Sequence, residues 1–376
     1  MLQSRLVRRA ALALAVVAAA AAFLSGCSPL YVIRAGIAEA KILAARRPIP
    51  EVVLDSATDE RTRGKLVLAM EARSFARDSL ELNVGDSYTS FTRLEKDTLA
   101  LVLSAAWRDQ LRSKTWWFPI VGHVPYKGFF DEDDALEEQR DLEREGFDTY
   151  LRPTAAFSTL GWFADPLLST LLRYDEVDLV ETILHELSHN HLFVPGRVQF
   201  NESFATFVGR VGAIEFFCTR RGGGWDTVKC ERAQARWRDA RRFSRFLDDL
   251  VAELRSIYDE PSLSVDTKLA RREAVFERFL ARFRDDVQPS FENLSFGYFL
   301  TTPLNNATLL ARMRYYHRLD DFQALYEDAG SDLTATVRRI AAGVEAAEDP
   351  FEVLPGPPSR TRGVPGATSD EGEGGP

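Results

Sequence analysis

Midway along the chain stands HELSHN, His185 to Asn190. Histidines four residues apart lie on one face of an α-helix, one turn above the other. His185 and His189 could therefore grip one zinc ion with two imidazole nitrogens. Glu186 follows the first histidine, where a carboxylate can take the proton of an attacking water. Two histidines alone also fit a plain core helix, so a third ligand must be sought. The extended metzincin pattern needs glycine and histidine three and six residues beyond His189, but those positions hold Leu192 and Pro195. The next candidate is Glu202, in NESFATF, Asn201 to Phe207. The link from Asn190 to Gln199 is short, so the two helices should pack as near-antiparallel neighbours and return Glu202 to the histidines. His185, His189 and Glu202 would leave the fourth position of a tetrahedral zinc open, as catalytic sites do. Imidazole and carboxylate donors suit that metal.

The elements that must position these residues are legible in outline. Asp175 is a plausible N-cap for the HELSHN helix. Val177, Val180, Ile183, Leu184 and Leu187 form the apolar stripe that would bury it. A second helix runs from Asn201 to about Phe217, where Asn201 either caps the helix or fixes the approach of Glu202. Upstream, helices are expected over Ile33–Arg46, Thr58–Leu80 and Asp131–Gly146. Strands are expected over Ser87–Leu94, Leu99–Trp107, around the PYKG turn, and over the run from Phe147 to Pro166, broken at Pro153. Downstream, Arg232–Tyr258 and Lys268–Arg284 read as a charged helical pair, and Leu304–Leu319 as a further helix. Helices, then strands, then helices indicate a mostly helical α+β fold with a small mixed sheet and a helical C-terminal part.

The ends carry separate information. Arg5, Arg8 and Arg9 precede an apolar run, Ala10 to Leu24, too short for a stable membrane span, and LSGC ends at Cys27. This order resembles the signal and lipobox of bacterial lipoproteins. The resemblance implies a signal peptide over residues 1–26 and lipidation of Cys27. With Ser28 following, it implies an outer-membrane protein facing the periplasm. Removing residues 1–26 takes away three arginines and no acid, so the formal charge goes from −9 to −12. Such an acidic body argues against nucleic acid as a partner. Cys218 and Cys230 could close a disulfide in an oxidising compartment, or stay free. Residues 27–354 read as one domain with a helical extension. The tail over 355–376 has little to bury and reads as disordered.

HELSHN with NESFATFVG resembles the gluzincin metallopeptidases. Together with VGHVPYKGFF, YLRPTAAFSTLGWFADPLLSTLL and LNNATLLARMRYY, it resembles a family of bacterial lipoproteins described as predicted zinc aminopeptidases. The likeness implies a zincin-like core, bound zinc, Glu186 as general base, and a peptide or protein substrate. In related zincins a tyrosine or histidine from a later segment steadies the oxyanion. Tyr315 and Tyr316 lead the candidates, followed by His317, Tyr298 and Tyr126. Asn305 and Asn306 could orient substrate or cap their helix. His191 points away from His189 and reads as structural or as a support behind the metal ligands, and His123 reads as a plain loop histidine. The expected substrate edge is Thr154–Trp162. The glutamate that gluzincin aminopeptidases carry in that segment is missing here, and Asp165 is the nearest acid. Asp131 to Asp134, after the PYKG turn, offer another source. An endopeptidase of the same chemistry, or a non-catalytic outer-membrane scaffold, are the alternative readings.

Overall fold

The computed structural model describes residues 36–37, 40–94, 100–118, 122–154, 164–219 and 223–356. The leader, Cys27, residues 33–35 and 38–39 of the expected Ile33–Arg46 helix, the expected substrate edge beyond Thr154 and the tail beyond residue 356 lie outside them. The protein is mostly helical with small sheets, an α+β fold. No helix among the described residues is long and apolar enough to cross a membrane.

Asp175 opens α4, Glu176–His191, as the sequence predicts. Its carboxylate accepts from the backbone N–H groups of Val177 and Asp178 at 2.9 and 3.1 Å. This satisfies donors that a helix start leaves orphaned. The apolar stripe of α4 is fully buried. It packs against α2, Glu60–Asp78, and α5, Val198–Thr219. The long α6, Val228–Tyr258, and α7, Val265–Arg282, form the expected charged pair over a phenylalanine-rich core. That core holds Phe243, Phe246, Phe279, Phe283 and Phe299.

Strand β3, Ala100–Trp107, is the centre of an antiparallel sheet. It is flanked by β6, Lys127–Phe129, and β7, Phe147–Thr154. Pro153 does not break β7: it pairs with Leu101. Proline cannot donate to a ladder, but β7 has the outer place in this sheet, where a missing N–H can face away from the partner. The helix α3, Glu132–Arg144, covers the sheet, and Gly146 ends its turn with φ +89°. The expected strand Ser87–Leu94 is shorter, Ser90–Thr92, and it joins a separate small sheet.

The largest departure lies in Leu304–Leu319. Helix α9 spans only Asn306–Met313, capped by Asn305, and a turn follows. Arg318, at φ +55°, then starts α10, Leu319–Asp328. Tertiary contacts impose this early end. Ser203 of α5 donates to the carbonyl of Arg314 at 2.8 Å, and Gln199 donates to that of Met313 at 3.1 Å. Those carbonyls are thereby turned out of the helix ladder.

Two glycines let α5 approach α4. A Cβ at Gly209 would fall 2.6 Å from the Glu181 carbonyl oxygen and 3.1 Å from His185 Cβ. At Gly212 it would fall 2.9 Å from Leu184 Cδ1. Cys218 and Cys230 are disulfide-bonded and staple the end of α5 to the start of α6.

Gly209→Ala is expected to cost about 1–3 kcal/mol in urea unfolding by forcing the helices apart. Gly64→Ala, in α2 with nothing within 4 Å of its Cβ position, should instead gain about 0.5–1 kcal/mol. Equal effects at the two positions would contradict the close-approach argument. Replacing both cysteines by serine should cost about 2–4 kcal/mol, and adding reductant to the unsubstituted protein should lower its stability to the same level.

Candidate active site

The side chains of His185, His189 and Glu202 converge. Glu202 Oε2 lies 3.2 Å from His185 Nε2 and 3.6 Å from His189 Nε2. Among the described residues no other group of three such donors comes together within 4.8 Å. A tetrahedral ion with ligands at about 2.0–2.1 Å requires its donors to stand roughly 3.3 Å apart. The two distances from Glu202 are close to that spacing, and the donor chemistry, two imidazole nitrogens and one carboxylate oxygen, suits zinc.

Each donor has a local reason for its place. The histidines share one face of α4, their rings 5.0 Å apart and nearly perpendicular. Glu202 lies in the second turn of α5, because that helix starts at Val198 and not at Asn201. Asn201 is consequently no N-cap. Its amide accepts from the Val194 N–H and donates to the Val194 carbonyl, both at 2.9 Å. This clamp ties the link between the helices to the turn that carries Glu202. One turn before His185 on the same helix face, Glu181 accepts from Arg236 at both carboxylate oxygens, at 2.9 and 2.8 Å, and Arg236 also contacts Asp178. These bonds tie α6 to α4 beside the site.

Electrostatics follow from burial. Burial alone would push the Glu202 carboxyl upward, but hydrogen bonds to both imidazoles outweigh it and hold the group well below the usual carboxylate range. The Glu186 carboxyl is pushed up, chiefly by burial and further by the charges of Glu202 and Asp165, against the pull of the two imidazoles. Asp165, the nearest acid in the sequence, is therefore a buried neighbour of Glu186. Tyr88 lies close to both, its phenol raised by burial and then by those two carboxylates. It holds φ +60° and donates its N–H to the Asp165 carbonyl at 2.8 Å. Nothing in the sequence pattern singles out Tyr88.

The cluster of His185, His189 and Glu202 opens into a cavity of about 670 Å³. Helices α4 and α5 form one wall, and the end of β7 with the turn after α9 forms the other. Tyr315 and Tyr316 both line it. The Tyr315 ring lies 6.1 Å from that of His185, inclined by 29°. Burial raises its phenol first, the charge of Glu202 adds, and Arg152, which hydrogen-bonds to it, opposes. The phenol thus stays protonated and able to donate. The Tyr316 ring points its edge into the phenylalanine core, 5.2 Å from Phe243 and 5.5 Å from Phe296. Tyr126, raised to about 12 by burial and by Glu202, also lines the cavity. Arg314 lies over its ring and donates to the Pro125 carbonyl at 2.9 Å. Tyr298 stands at the cavity mouth, 40% exposed.

Other candidates lie elsewhere. His317 is buried against Asp248 and Phe351, away from the cavity. His191 accepts from the Asn83 N–H at 3.1 Å, a structural contact. His123 lies on a short exposed strand, Gly122–Val124, beside Thr115. Asn305 caps α9 and donates to the Thr149 carbonyl, while Asn306 is buried among the carbonyls of Trp107, Arg108 and Gln110. Neither asparagine lines the cavity, so both serve the fold. Asp131 is the N-cap of α3, and Asp131 to Asp134 do not line the cavity either.

Sequence reading missed the arginines of this cavity: Arg152, Arg210 and Arg312. A signal existed for Arg312, an arginine inside the apolar run ATLLARM.

Neither the curated proteins nor the solved structures contain a match to this chain. A family model described as "Putative aminopeptidase" matches residues 30–349. This span includes both metal-ligand helices, the β3 sheet and the turn that carries Tyr315. The chain belongs to that aminopeptidase family.

Proposed function

We propose that the protein is a zinc-dependent metallopeptidase with a zincin-like core, acting as an aminopeptidase from a lipid anchor at Cys27 on the periplasmic face of the outer membrane. The observation that carries this reading is the convergence of His185, His189 and Glu202, with Glu186 beside them, in the wall of a cavity large enough for a short peptide. Membership of an aminopeptidase family supports the peptidase chemistry.

His185, His189 and Glu202 would hold the ion. When bound, zinc supplies Lewis acidity toward the scissile carbonyl and makes water a stronger acid. Glu186 accepts the proton of the attacking water and returns it to the leaving amine. Its buried, upward-shifted carboxyl suits a group that must both take and give a proton. Tyr315 donates to the developing oxyanion from beside His185. Tyr126, whose ring lies under Arg314 beside Tyr315, is positioned to help. Strand β7 has the outer place in its sheet and brings Arg152, Pro153 and Thr154 to the cavity, so an extended substrate can lie along it.

An endopeptidase of the same chemistry is the second reading, favoured by one observation. Three carboxylates line the cavity among the described residues: Glu181, Glu186 and Glu202. Glu181 is bound to Arg236 and Arg210, and Glu202 to the histidines. With Glu186 as base, none of the three is left for a substrate α-ammonium.

The chain starting at Ser28 would be assayed with aminoacyl and internally quenched peptides. Glu186→Gln is expected to keep the metal and lose about 10²–10⁴ in kcat. Tyr315→Phe should lower kcat about 10²–10³ with little change in KM, while Tyr316→Phe stays near the unsubstituted rate. Undiminished turnover in Glu186→Gln would defeat the mechanism. Blocked N-termini that abolish cleavage would mark an aminopeptidase, and cleavage of blocked peptides would mark an endopeptidase.

A further inference from the structure

Among the described residues Arg312 is a cation without an anion. Its side chain is buried, with 6% of the residue exposed, yet it lines the cavity. Its Nε and Nη2 are buried and reach no hydrogen-bond partner among the described residues. Aromatic rings hold it instead. The guanidinium carbon lies 4.2 Å from the Tyr298 ring centroid, 5.5 Å from that of Tyr150 and 5.8 Å from that of Phe299. Ring faces offset part of the cost of burying a cation, but they do not accept its in-plane N–H bonds.

The other arginines nearby are committed. Arg210 approaches Glu181 at 3.4 Å, and Arg236 binds Glu181 and Asp178. Arg314 donates to Ser104 and to the Pro125 carbonyl, and Arg152 to Tyr315. Arg312 stands apart from them: a caged fork with unsatisfied donors, on a residue that lines the cavity. A fork of this kind matches a carboxylate, which can accept two parallel N–H bonds. The backbone of Arg312 also fixes the site, since its carbonyl accepts from the N–H groups of Tyr315 and Tyr316 at 3.0 and 3.2 Å. A ligand held by Arg312 is thereby referenced to the turn that presents Tyr315.

We infer that Arg312 is a carboxylate-recognition residue, and that the cavity selects peptides carrying a free carboxylate, on an acidic side chain or at the C-terminus. Calling that ligand a substrate rests on the metallopeptidase reading; the binding preference does not. Such specificity is compatible with a family of aminopeptidases when the peptides are short or acidic.

The test is calorimetric binding to full-length mature protein bearing Glu186→Gln, so that nothing is turned over, with and without added zinc. The probes are trialanine, trialanine amide, and the amides of Ala-Glu-Ala and Ala-Gln-Ala. The free acid, or the glutamate peptide, should bind about tenfold or more tighter than its neutral counterpart. Whichever pair shows the gap identifies the source of the carboxylate. Adding Arg312→Met should remove the gap, and Arg312→Lys should restore part of it. Circular dichroism would establish that each variant is folded, and a misfolded Met variant leaves the Lys variant, which must then narrow the gap. Equal binding of acid and neutral probes, a gap that survives substitution of Arg312, or no binding by any probe would each overturn the inference. A zinc-free or inactive unsubstituted protein that still shows the gap would instead count against the peptidase reading alone.

Discussion

The close approach of α4 and α5 is the constraint on which the rest of the site depends. Two of the converging donors project from one helix and the third from the other, so their separation is set by the distance between the helices. That distance is governed by Gly209, where even one methyl group would meet the Glu181 carbonyl and His185 itself. Helix packing normally leaves about 8–10 Å between axes, and small residues bring the axes to the near end of that range. The converging donors are hence a product of core packing, with Phe204, Phe207, Val208 and Val211 of α5 buried beside them.

Helix α5 distributes this constraint to the rest of the cavity through adjacent residues. Asn201 fastens the connecting link, Glu202 faces the histidines, and Ser203 anchors the turn after α9 through the Arg314 carbonyl. Three neighbouring side chains thus fix the loop entry, a ligand and the segment that carries Tyr315. On the other wall, Asp148 of β7 binds Arg272 of α7 at 2.7 Å and accepts from the Asn306 N–H at 3.0 Å. The sheet, the charged helical pair and α9 are joined at that carboxylate. Buried carboxylates with several such partners are costly to disturb, which favours a single arrangement of the two walls.

What could be read from the sequence was local. HELSHN carries helical spacing, its cap and its apolar stripe within sixteen residues, and the short link to NESFATF constrains the third donor. The turn bearing Tyr315 was not legible, because the apolar pattern of LLARMRYY continues past the point where Ser203 and Gln199 draw the carbonyls aside. Pro153 read as a strand breaker because nothing in the sequence states that β7 is an outer strand. Asn201 stayed open between a cap and a support for Glu202 because the helix start at Val198 has no capping residue to announce it. Arg312 stands inside an apolar run, but its cage forms only when Tyr150, Tyr298 and Phe299 are folded around it.

The central claim is that His185, His189 and Glu202 form one metal site. Metal content after purification without chelator tests it most directly, on the mature chain and on its Glu202→Ala variant, with unfolding curves to establish that both are folded. One zinc per unsubstituted chain and a sharply lower content in the variant is the expected result. A zinc-free unsubstituted protein that also fails to take up added zinc would contradict the site, and undiminished zinc in Glu202→Ala would remove Glu202 from it.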